Sequence, residues 1–69
     1  IDSKTLLQAT LQSKGSAPKY KLLSAKGPDH NRVYSVAVYD EDRLLGKGSG
    51  KSKKEAEQEA AEKALKILE

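Results

Sequence analysis

In residues 51–69, KSKKEAEQEAAEKALKILE, alanine recurs every fourth position at Ala56, Ala60 and Ala64, and Leu68 continues the series. Residues four apart share one face of an α-helix. Ala61, Leu65 and Ile67 stand beside that line. A helix whose inner face is mostly methyl groups can sit close to a flat neighbour, and this pattern predicts one packed on a sheet. On the outer side, Glu59–Lys63 and Glu62–Lys66 are i,i+4 pairs with Glu first, the favoured order. The helix is predicted to start near Ser52.

The sheet is found upstream. VYSVAVYD, residues 33–40, is rich in strand formers, and Tyr34, Val36 and Val38 fall on one face. Pro18 holds Ala17 away from helical backbone, and residues 19–26 follow as a strand. Gly27, Pro28, Asp29, His30 and Asn31 make a turn. Asp40, Glu41 and Asp42 make another, after which residues 43–47 return as a third strand. IDSKTLLQATLQSKG opens the chain as a helix, capped by Asp2 or Ser3 and stopped by Gly15. Leu7 and Leu11 should point inward. The order is helix, three strands, helix: an α+β fold, a two-layer α-β-β-β-α sandwich whose three-stranded antiparallel sheet carries both helices on one face. At 69 residues this is one domain, residues 1–69. There is no Cys, one His, no signal-peptide pattern and no apolar run near the ~20 residues that span a bilayer. A soluble, cytoplasmic protein is expected.

Net charge is only +3, but its distribution is uneven. Residues 1–45 sum to +2, residues 46–54 to +4 and residues 55–69 to −3. Lys47, Lys51, Lys53 and Lys54 therefore crowd the start of the last helix, where the dipole is already positive and lysine weakens the fold. Gly46, Gly48 and Gly50 are expected to leave the backbone open, and Ser52 adds a hydroxyl. Free amides and lysines at a helix start suit phosphate. The pattern is not a nucleotide P-loop, because Leu45 stands where its first glycine is needed. Thr5, Gln8 and Gln12 form a polar stripe on the first helix, suited to 2′-hydroxyls and base edges in the shallow minor groove of A-form RNA. The turn at Pro28, Asp29 and His30 could contact sugars. His30 has no nucleophile to serve, and the carboxylates read as solvated. No enzyme, cofactor or metal site is expected.

These residues resemble the double-stranded-RNA-binding domain family, most closely the domain at the C-terminus of bacterial ribonuclease III. The likeness runs through KTLLQATLQ, PKYKLLSAKGPDH, VYSVAV and GSGKSKKEAEQEAA followed by KAL. It implies the same α-β-β-β-α fold and double-stranded RNA as partner. It implies contacts from Thr5, Gln8 and Gln12 in one minor groove and from Pro28, Asp29 and His30 in the next. Lys51, Ser52, Lys53 and Lys54 would lie on phosphates across the major groove between them. It also implies a fragment of a larger ribonuclease III, with magnesium and any homodimer belonging to a nuclease domain outside these residues. No membrane or small-molecule partner is implied. Two positions depart from the family pattern: Ala9 where Glu is common, and Tyr34 where Phe is usual. Some family members pair with proteins instead of RNA, which leaves a protein-interaction module of the same fold as the alternative.

Overall fold

A computed structural model describes residues 2–69. Helix α1 spans Ser3–Gln12, and strands β1 (Pro18–Lys26), β2 (Val33–Asp40) and β3 (Arg43–Gly50) precede helix α2 (Lys53–Ile67). The sheet is antiparallel in the order β1-β2-β3. Both helices meet the core from one side, so the two-layer reading of the sequence holds.

Asp2 is the cap of α1: its carboxylate accepts from the Lys4 amide at 3.0 Å. Gly15 ends the helix region in a left-handed conformation (φ +79°), and its amide donates to Gln12 at 3.0 Å. The core joins Leu7 and Leu11 of α1 to Val38, Leu45 and Ala60, Ala61 and Ala64 of α2. Leu68 and Leu65 pack against its margin. Ile67 does not follow them. It is 60% exposed: at about 100° per residue it falls on the other side of the Ala64 line from Leu65 and Leu68. Of the two helical ion pairs, Glu59–Lys63 forms at 4.0 Å, and among the described residues Glu62 and Lys66 make no such bridge.

The glycine run differs from its expected role. The third strand, expected over residues 43–47, runs on to Gly50, and the backbone at Gly46, Gly48 and Gly50 is not left open. A Cβ at Gly48 would stand 2.4 Å from the Ala60 amide nitrogen and 2.5 Å from the Ala56 carbonyl oxygen. One at Gly46 would meet the Ala60 carbonyl oxygen at 2.6 Å. The glycines and alanines are therefore two halves of one contact: both lack bulk so that α2 can lie directly on β3. Carboxylates of α2 then close the outer edge of the strand. Glu59 accepts from the Ser49 amide at 2.7 Å and Glu55 from the Lys51 amide at 3.0 Å.

Strand alternation follows from this contact. Because Gly46, Gly48 and Gly50 face α2, so do their β2 partners Val38, Val36 and Tyr34. Lys47 and Ser49 face the opposite way. The four-lysine cluster read from the sequence is thereby split, with Lys47 on the far side of the sheet from the helices.

Candidate nucleic-acid interface

The register brings two of the predicted patches to one end of the sheet. Val33 pairs with Lys26 and Tyr34 with Gly50, so the β1–β2 turn and the β3–α2 junction are neighbours. The third patch begins beside them. Lys4 of α1 reaches Glu57 of α2 at 2.5 Å, its amide donates to Gln58 at 3.3 Å, and Gln58 donates to Asp2. From that tether α1 runs to the other end of the sheet, where the Ser16 hydroxyl donates to Asp40.

Along α1, Thr5, Gln8 and Gln12 are all exposed. The Thr5 hydroxyl donates to Asp2 at 2.9 Å, which leaves its lone pairs outward: toward a ribose hydroxyl it is an acceptor. Hydrogen bonds from Gln58 and then Thr5 hold the Asp2 carboxyl below the ordinary carboxylate value, so Asp2 stays ionised under the stripe. Ala9 is exposed beside Gln8 and offers only a methyl group.

Between β1 and β2, Asp29–Asn31 form one 3-10 turn, closed by the Asn31 amide donating to Pro28 at 2.9 Å. Gly27 makes the turn possible: its φ is +99°, and a Cβ there would lie 2.6 Å from the Asn31 carbonyl oxygen. Pro28, Asp29 and His30 are exposed. Asp29 is not isolated. Arg32 donates to its carboxylate at 2.7 Å and lies 3.4 Å from the Gly27 carbonyl oxygen. Arg32 thus neutralises the one acid in this patch. The sequence carried no signal for it beyond its place next to the turn.

At the start of α2, Ser52 is the cap, and its hydroxyl accepts from the Glu55 amide at 3.1 Å. Glu55 in turn occupies the Lys51 amide. This is close to a reciprocal capping box. It changes the expected chemistry, since two amides counted as free for phosphate are already bonded within the chain. Phosphate recognition falls mainly to the ammonium groups. Lys51, Lys53 and Lys54 are exposed, and none is ion-paired among the described residues.

An α-β-β-β-α sandwich with a cationic helix start, a rigid turn beside it and a polar helix stripe defines a nucleic-acid-binding module, not a catalytic cleft. Among the described residues no group of three His, Asp or Glu stands where it could hold a metal, and no helix is long and apolar enough to cross a membrane. The family model for the double-stranded RNA binding motif matches residues 3–68, and the chain belongs to that family. It is 53% identical over 68 residues to ribonuclease 3 of Magnetococcus marinus, covering 97% of this chain and 28% of that protein. Ribonuclease 3 of Symbiobacterium thermophilum is 58% identical over 66 residues, covering 94% and 28%. Among solved structures, Dicer from Pichia stipitis superposes with a TM-score of 0.77 at 28% identity, over 94% of this chain and 32% of that one. The chain thus spans under a third of these relatives. The family is one of binding modules, in agreement with the non-catalytic reading of the sequence.

Proposed function

We infer that this domain holds duplex RNA by shape, as the substrate-binding part of a cytoplasmic ribonuclease III that processes duplex RNA. Thr5, Gln8 and Gln12 enter one minor groove and meet 2′-hydroxyls. Pro28, Asp29 and His30 enter the next, and Lys51, Ser52, Lys53 and Lys54 lie on the phosphates between. Cleavage, its metal and any homodimer are assigned to the remaining length of such a protein. The observation that carries this reading is the cluster of three exposed lysines, without carboxylate partners among the described residues, at the sheet end shared with the turn. Lysines at a positive helix end are unfavourable until phosphate arrives.

The test is the variant Lys53→Ala/Lys54→Ala. Each lost phosphate contact should reduce the salt slope by about 1, so the pair should lose about 2. Affinity for duplex RNA should fall at least tenfold, while the melting temperature of the free domain should equal or exceed the parent's. Unchanged affinity would remove the lysines from the interface.

A further inference from the structure

We propose that the sheet face turned away from the helices is a second interaction surface, one that docks an acidic, partly apolar segment of a protein partner. Its residues follow from the register. Lys21 and Lys47 flank Ala37, Lys19 and Leu44 flank Tyr39, and Lys26 pairs with Val33. Four lysines thus share this face, and none is ion-paired among the described residues. Ala37 is fully buried although no helix covers it, a methyl group seated between two lysine stems. Carboxylates stand only at its margins: Glu59 at the β3 edge, and Glu41 and Asp42 in the β2–β3 turn.

Apolar groups decide the class of partner. Leu23, Val33 and Leu44 are 44%, 44% and 45% exposed on this side, among the lysines. Phosphates would satisfy the lysines and leave these three in water. A segment carrying both carboxylates and aliphatic side chains would satisfy both. The face has two shallow depressions, each of about 350 Å³, to seat such side chains. One is lined by Ser24, Ser35 and Ser49, with Leu23 and Lys47 beside them and the Glu59–Lys63 pair at its edge. The other is lined by Lys19, Lys21 and Tyr39 and, toward the β2–β3 turn, by Glu41 and Asp42, so it seats an aliphatic side chain and leaves the partner's carboxylates to Lys21 and Lys47. The duplex-RNA contacts proposed above use none of these residues, so both partners can be held at once.

The test is an amide-resolved NMR titration with an acetylated, amidated (Glu-Glu-Leu)4 peptide, with and without a saturating RNA duplex. Expected are shifts at Lys21, Ala37, Tyr39 and Lys47, retained when RNA is bound, and a tenfold or greater loss of peptide affinity in Lys19→Gln/Lys21→Gln/Lys47→Gln, with the salt slope of RNA binding, which counts phosphate contacts, equal to the parent's. Peptide shifts confined to Lys51–Lys54, displacement of the peptide by RNA, or RNA shifts on the sheet face itself would overturn the proposal. So would no peptide binding, which would leave the lysines as a guard against edge-to-edge sheet pairing. A domain that binds peptide but no RNA would overturn the duplex-RNA reading and leave this one standing.

Discussion

Tyr20 shows how one atom can be held at a cost. Its ring packs against the core, and the Lys4 ammonium lies 5.0 Å from the ring centre. Its hydroxyl is buried and has no partner among the described residues. Burial first, then Glu57 and Asp2, push its pKa up from 10.0 to about 12. The fold therefore favours the neutral phenol. The stability this protects is complete below pH 10.0 and is lost as the pH rises toward about 12. Tyr20→Phe keeps the ring and its cation contact and removes the unpartnered hydroxyl. Its melting temperature at pH 7 should equal or exceed the parent's, and its decline above pH 10.0 should be shallower. A drop of more than about 1 kcal/mol at neutral pH would mean that the hydroxyl has a partner after all. Lys4 shows the same economy of position: it joins Tyr20, Glu57 and Gln58, so α1 is fixed to α2 at the end where RNA is proposed to bind.

Among the elements, the β3–α2 contact governs the rest. Gly48→Ala should be far worse than an alanine in an exposed strand, because its Cβ would meet backbone atoms of α2 at 2.4 and 2.5 Å. Overpacking of this kind costs about 1–3 kcal/mol, to be read in a thermal melt. A variant as stable as the parent would show that α2 can move off the strand. This contact also marks what the sequence left hidden. The alanine series, the strand at 33–40 and the inward leucines of α1 were legible because each is a period matched to one element. The glycines are not, since a residue without a side chain has no period, and their reason lies in the helix that follows the strand. Strand alternation over the same residues is equally hidden. Adjacency in the chain groups Lys47 with Lys51, Lys53 and Lys54, whereas strand alternation sends it to the opposite face. Arg32 carries no mark in the sequence for a related reason: its value comes from a fold-back onto Asp29. A capped helix start was half visible: Ser52 was read as the cap, but Glu55 on the Lys51 amide is a detail of geometry.

For the whole molecule, the balance of charge resolves into two basic surfaces on a domain of net charge +3. One gathers Lys51, Lys53 and Lys54 at the end of the sheet shared with the 3-10 turn. The other spreads Lys19, Lys21, Lys26 and Lys47 over the open face. The acidic groups of α2 lie largely between them, in contacts with Ser49, Lys51 and Lys4. Duplex recognition by the first surface requires both its electrostatics and its groove spacing. The most direct test is therefore a gel-shift titration at two salt concentrations, with a ~20-base-pair RNA duplex and the DNA duplex of the same sequence. RNA should bind tightly and weaken steeply with salt, and DNA should bind at least tenfold more weakly at both concentrations. Equal binding of the two duplexes, or binding of neither, would contradict recognition of duplex RNA by its shape and 2′-hydroxyls.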